Sequence, residues 1–201
     1  MGIGTNQREI LQHFKLEGGI VDVTPHGSGH INHTFLATTD GDKRYILQRI
    51  NTDIFHDTDG LMENIVNVTS YLRDRIIQAG GNPERETMTV IPTKDGKYYY
   101  TDTDGSNWRV YLLIEHIISL DQAQSTEEFY ASGLAFGRFQ AQLADYPAKT
   151  LHETIPDFHN TPKRYQAFEQ AVAEDVCHRA ESVVQEIAFI RARKEEISVL
   201  R

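Results

Sequence analysis

The residues most able to do chemistry lie together in Gly27-Ser28-Gly29-His30-Ile31-Asn32-His33-Thr34-Phe35. Two glycines and a serine separate the β-like run Ile20–Thr24 from a second one, Thr34–Thr38. A glycine lets the backbone approach a ligand closely, and successive free N–H groups in such a loop can point at phosphate oxygens. His30 and Asn32 follow at the two-residue spacing that puts both on one face of a strand. The loop is thus suited to hold phosphate, and the strand edge to offer hydrogen bonds to a second, polar ligand. On the local pattern alone an ordinary glycine-containing hairpin turn is the competing reading. Other reactive side chains form weaker patterns. His152 and His159 are seven apart in a polar loop and lack a carboxylate–histidine helix motif, a poor basis for a metal site. Cys177, in a segment of helical pattern, reads as a small packing residue rather than a nucleophile.

The elements that must position this loop follow from periodicity and turn chemistry. Asn6 to Leu16 reads as a short amphipathic helix with Ile10, Leu11 and Phe14 on one stripe, ended by Glu17-Gly18-Gly19. Strand-like runs follow at 20–24, 31–38 and 44–50, the last two joined by Asp40-Gly41 in a hairpin connection. A long helix is expected from Asp57 to Ala79, because Leu61, Ile65, Val68, Leu72 and Ile76 recur at helical spacing before Gly80-Gly81-Asn82-Pro83 stops it. Met88–Ile91 and Lys97–Thr101 read as a hairpin about Asp95-Gly96, and Trp108–Ile114 as a central strand. From Ser125 the pattern is helical: Ser125 and Glu128 form a capping box, and further helices are expected from Pro162 to the end. Gly133 and Gly137, four apart inside a helix, suggest close packing against another backbone.

Composition narrows the classes. A net charge of −9 without a dense basic cluster argues against nucleic acid as a partner. No apolar run is long enough to span a membrane, and the first twenty residues lack a signal core. A single cysteine rules out an intrachain disulfide and suits a reducing compartment, so the cytoplasm is the default.

The order of elements is α+β with segregated halves. The run Gly-x-Gly-His-Ile-Asn-x-Thr-Phe, with Tyr45-Ile46-Leu47-Gln48-Arg49-Ile50-Asn51 after it, resembles the N-lobe of N-acetylhexosamine 1-kinases. These are anomeric sugar kinases of the aminoglycoside-phosphotransferase-like, protein-kinase-like fold. The stretch Glu153-Thr154-Ile155-Pro156-Asp157-Phe158-His159-Asn160-Thr161-Pro162 resembles their Glu-Thr-Ile-x-x-Phe-His-x-Thr-Pro run. The resemblance implies a kinase-like N-lobe over 1–116, an antiparallel sheet with one inserted helix, followed by the first helices of an incomplete C-lobe over 117–201. It implies ATP with Mg2+ as cofactor and an N-acetylhexosamine as acceptor.

By the same resemblance Gly27, Ser28 and Gly29 cover phosphate, and Glu115 and Ile117 meet adenine at the hinge through main-chain carbonyl and amide. His30 and Asn32 are implied sugar contacts. The third strand, which in kinases presents a lysine to the phosphates, has Gln48 at that position with Arg49 beside it. Gln48 is neutral, and Arg49 falls on the opposite face of a regular strand, where a solvated charge is the plain alternative. Glu63 occupies the place of the helix glutamate that pairs with the lysine, without its usual partner, and reads as structural or surface.

The family's His-Asn-Asp-x-Lys-x-x-Asn run and later Asp-Leu-Asp occur nowhere in the 201 residues. No catalytic residue and no metal ligand is therefore named, and a helical pattern without a stop signal reads as a chain cut before the chemistry. Three functions follow as expectations. The first is part of an ATP-dependent sugar kinase, inactive alone, with the missing C-terminal half or self-association as its partner. The second is a non-catalytic nucleotide- or sugar-binding module. The third is a phosphotransferase of the same family acting on another small hydroxyl substrate.

Overall fold

Sheet formation begins where β-branched and aromatic residues cluster between turn signals. The computed structural model describes residues 4–199 except 28, 30, 119 and 121, with side chains from Gln7 onward. The elements run α1 (Gly4–Leu11), β1 (Ile20–Pro25), β2 (His33–Thr39), β3 (Arg44–Arg49), α2 (Thr58–Gln78), α3 (Pro83–Glu86), β4 (Val90–Ile91), β5 (Tyr100–Thr101) and β6 (Asn107–Leu112). Helices α4 (Thr126–Gln142), α5 (Thr161–Glu174) and α6 (Val184–Arg191) follow. The chain divides into two compact units, one up to Thr154 and one from Ile155.

The first unit is built on one antiparallel sheet in the order β1-β2-β3-β6-β4, with β5 also pairing β6. Helix α2 is inserted after β3, so this is the expected antiparallel sheet with one crossing helix. Successive side chains on a strand point to opposite faces, and the two faces have different fillings. One face carries Ala37, Tyr45, Leu47, Trp108, Val110 and Leu112, which pack with Ile10, Leu11 and Phe14. The other holds a smaller cluster of Ile50, Leu61 and Met62, the last two from α2. Asp57 caps α2, its side chain accepting from the Gly60 N–H at 2.8 Å.

Three expectations are corrected. Helix α1 ends at Leu11, not Leu16, because the next residues are drawn into sheet-like contacts. The Lys15 N–H donates to Pro92 O, the Lys94 N–H to His13 O, and Phe14 bridges Thr93. Segments 88–91 and 97–101 do not form a hairpin with each other; β4 and β5 each pair with β6. The Asp95-Gly96 turn is closed locally by Thr93, whose N–H donates to Lys97 O at 2.7 Å. Gly133 and Gly137 pack against nothing within 4 Å among the described residues, and α4 has no buried residue. Phe129, Tyr130 and Phe136 on it are exposed.

In the second unit, Asn160 caps α5 by accepting from the Lys163 N–H, and Asp175 ends it in the left-handed region at φ 37°. Cys177 lies in the turn beyond and is exposed, not helical as its segment's pattern suggests. Arg191 on α6 pairs with Glu169 on α5 at 2.7 Å. An apolar hollow of about 350 Å³ between these helices is lined by Phe168, Val172, Val183 and Ile187.

Leu47 is fully buried on β3, in the same cluster as Trp108. Leu47→Ala should lower the stability of the first unit by about 2–5 kcal/mol through lost burial and the cavity left behind. Urea unfolding followed by the fluorescence of Trp108, the chain's single tryptophan, measures it; a midpoint unchanged from wild type would contradict the core assignment.

Candidate functional site

The glycine loop joins β1 to β2, and its base is closed by the His26 N–H donating to Thr34 O at 2.9 Å. Gly27 takes φ +77°, a left-handed backbone that glycine adopts without strain. A Cβ on Gly29 would meet no atom within 4 Å, so nothing in the chain's own packing asks for glycine there. Ser28 and His30, both expected in the site, lie outside the described residues.

Asn32 has a structural partner the spacing does not reveal. Its Oδ1 accepts from the Asn51 N–H at 2.9 Å, and Asn51 Nδ2 donates in turn to Ile31 O at 3.1 Å. This reciprocal pair ties the end of the glycine loop to the segment just after β3. The Nδ2 donor of Asn32 has no partner among the described residues, so one half of the amide is used by the fold and the other is available.

The register across the sheet decides what faces what. Thr34 on β2 is opposite Gln48 on β3, and Gln48 is opposite Arg109 on β6. These three form one hydrogen-bonded row. Gln48 Nε2 donates to Thr34 Oγ1 at 3.0 Å, while Gln48 Oε1 accepts from Arg109 Nε at 3.0 Å and Nη2 at 2.7 Å. Arg109 Nη1 sits 4.0 Å from the Met62 sulfur on α2. Burial pushes the Arg109 guanidinium below the ordinary arginine pKa, and also pushes the Tyr111 phenol up. Pairing is unbroken along β3, so Arg49 lies on the opposite face from Gln48. There it lines a polar hollow of about 330 Å³ with His33, Asn51, Asp53 and Ser106. Gln48 and Arg49 therefore do not converge on one point.

Glu63 finds its partner elsewhere. Its carboxylate meets His152 Nε2 at 2.8 Å, while Asn64 and His152 exchange two further bonds. That clasp holds the 152 segment to α2 and leaves Glu63 away from the Gln48 row.

At the end of β6, Glu115 is held on both its side chain and its backbone. Its carboxylate takes a two-pronged ion pair from Arg44, with Arg44 Nε at 2.9 Å, and its carbonyl accepts from Arg85 Nη1 at 2.8 Å. Arg44 beside it holds the Glu115 carboxyl below its ordinary value of 4.5. A carbonyl has two lone pairs, so the Arg85 bond leaves one acceptor site on Glu115 O. His116 is left-handed at φ 54°, and the Ile117 N–H has no partner among the described residues. The chain thus turns sharply between a carbonyl held by Arg85 and an open amide.

No three His, Cys, Asp or Glu side chains converge as a metal site among the described residues, so no step is derived through magnesium. No helix there is long and apolar enough to cross a membrane. The sheet order, the loop between β1 and β2, the helix after β3 and the turn after β6 together define a protein-kinase-like N-lobe, with helices following. The chain is similar to the crystal structure of spectinomycin phosphotransferase, APH(9)-Ia, in complex with ADP and spectinomycin. The TM-score is 0.56 at 12% identity, over 96% of this chain and 56% of that one. At that identity the likeness establishes the kinase-like fold, and the chain spans just over half the length of that relative. No protein-family model matches the chain.

Two outcomes test this geometry. Asn32→Ala should cost about 0.5–1.5 kcal/mol through the lost loop tether, while Asn32→Asp, which keeps an oxygen acceptor for the Asn51 N–H, should retain most of it. Equal losses in thermal melts of the two variants would mean the tether contributes nothing. For the Arg44–Glu115 pair, a depressed carboxyl pKa means stabilisation present above the ordinary glutamate range and lost as pH falls through the lowered value. The difference in melting temperature between wild type and Arg44→Met should be steady from about pH 7 to about pH 5 and shrink only in more acid solution. A difference already fading between about pH 7 and about pH 6 would contradict the pairing.

Proposed function

We propose that this chain is the nucleotide-binding part of an ATP-dependent phosphotransferase acting on a small hydroxyl substrate. The observation that carries the reading is the placement of the glycine loop, the Thr34–Gln48–Arg109 row and the turn at Glu115 on one kinase-like sheet. The likeness in fold to a phosphotransferase in complex with ADP supports it. In this reading the backbone around Gly27, Ser28 and Gly29 covers the phosphates. The free lone pair of Glu115 O and the Ile117 N–H meet adenine, and the lobe division falls at 116/117. ATP with Mg2+ is the cofactor; magnesium would neutralise charge on the phosphates.

For the acceptor, the reading is the anomeric hydroxyl of an N-acetylhexosamine. What supports it is the His30-Ile31-Asn32 run after the glycine loop and the Glu153–Pro162 stretch. Asn32 then serves twice, its Oδ1 on the fold and its Nδ2 on a sugar oxygen. His30 is the second sugar contact. A positioned base for the attacking hydroxyl is part of any such reaction, and no run in these residues matches the family's base.

Calorimetric titration tests both levels. The 201-residue chain should bind ADP at one site per chain and N-acetylglucosamine more tightly than glucose or spectinomycin. It should not turn over N-acetylglucosamine and MgATP at an ordinary kinase rate of about 1–100 s⁻¹. Asn32→Ala should weaken the sugar several-fold and ADP by less, through the loosened loop end. Absence of ADP binding would refute the nucleotide reading; a loss confined to ADP would move Asn32 away from the sugar.

A further inference from the structure

A buried cation normally has an anionic partner, since desolvating a guanidinium costs several kcal/mol that only a well-placed counter-charge and full hydrogen bonding offset. Arg109, half-buried on β6, lacks one among the described residues. It sits on β6 between buried Trp108 and buried Val110, in a strand whose remaining buried positions are apolar. Its hydrogen-bonding neighbours are the amide oxygen of Gln48 and the thioether of Met62, both neutral, and the Tyr111 phenol lies near enough to act on its charge. Among the described residues it makes no ion pair. The Gln48 oxygen takes Nε–H and one Nη2 hydrogen, which leaves the Nη1 pair and the second Nη2 hydrogen without an oxygen acceptor there.

Two other half-buried arginines of the first unit have a carboxylate partner: Arg44 pairs with Glu115, and Arg75 with Asp145 at 2.8 Å. Arg8 and Arg85, which bond main-chain carbonyls instead, are exposed. Arg109 is moreover held in orientation rather than left to swing: Gln48 grips its Nε edge, and Thr34 in turn grips Gln48. The row ends on Thr34, whose carbonyl closes the base of the glycine loop. Strands lie roughly 4.8 Å apart, so the guanidinium stands about two strand spacings from that loop, on the face that also carries α2. A charged fork aimed by neutral partners suits a polyanion with several oxygens in a plane.

Resting on the nucleotide-binding reading above, we propose that Arg109, oriented by Gln48, is the cation that receives the polyphosphate of the nucleotide. It takes the electrostatic place that the neutral Gln48 leaves open on β3. The charge comes from the neighbouring strand, one register position across, and the Gln48 side chain becomes the support that aims it. No bond is made or broken by Arg109; its part is to bind and orient the phosphates.

The test compares ADP, adenosine and inorganic tripolyphosphate as titrants for wild type, Arg109→Met and Arg109→Lys. Arg109→Met should weaken ADP and tripolyphosphate roughly tenfold to a hundredfold and leave adenosine unchanged. Arg109→Lys keeps the charge and loses the fork, so it should lose ADP affinity several-fold with adenosine again unchanged; this variant carries the test if Arg109→Met does not fold. Equal weakening of ADP and adenosine would overturn the proposal in favour of a purely structural arginine, as would unchanged ADP affinity in either variant. Wild type that binds tripolyphosphate but not adenosine would sustain Arg109 and refute the nucleotide reading. Wild type that binds none of the three would overturn both.

Discussion

The amide of Gln48 is the hinge of the whole arrangement, because it uses both of its ends. Its nitrogen is spent on Thr34 and its oxygen on Arg109, so three strands are joined through side chains as well as backbone. That is possible only because β2, β3 and β6 keep an unbroken antiparallel register; a slip of any one of them by one residue would send its side chain to the opposite face. The opposite face is closed to them by Tyr45, Leu47, Trp108 and Val110, packed with Ile10, Leu11 and Phe14. Apolar packing on one side of the sheet therefore fixes the polar row on the other.

Around that row the fold spends several polar contacts on holding segments rather than on exposing groups. Asn32 fastens the loop end to Asn51, Glu63 fastens the 152 segment to α2, and Glu115 is clamped by Arg44 and Arg85. Each of these side chains, read alone, looks like a candidate ligand contact. In the structure each has a mechanical part. Near the row and the turn, the groups left unspent among the described residues include the Asn32 Nδ2 donor, one lone pair on Glu115 O, the Ile117 N–H and the outward hydrogens of Arg109. These are groups that recognise oxygen-rich or heteroaromatic ligands by direct hydrogen bonds.

Much of the sheet was legible because its signals are local. Ile20–Thr24, the Asp40-Gly41 connection, the stripe from Leu61 to Ile76 and the Ser125 cap all announce themselves within a few residues, and β1, β2, β3, α2 and α4 lie where those signals put them. What was hidden depends on distant partners. The short β4 and β5 pair with β6 instead of each other, and α1 stops at Leu11 because residues 13–15 bond to the 92–94 segment. Arg109 was missed for the same reason, since its meaning lies in which residue stands across from it. A signal was nonetheless present: an arginine alternating with Trp108, Val110 and Leu112 in a strand too apolar to leave it solvated. The helical pattern after Ala192 is not borne out as α-helix either: among the described residues that segment holds a 3-10 turn at Lys194–Glu196.

The central claim is that phosphate and base are met by the row and the turn on one sheet face. Amide chemical-shift mapping of the isotopically labelled chain during titration with ADP tests it most directly. The account predicts that the largest changes fall at Gly27, Gly29, Thr34, Gln48 and Ile117 and at the Arg109 side-chain Nε–H. Changes confined to the apolar hollow between α5 and α6, or to the Arg49 face of the sheet, would contradict it.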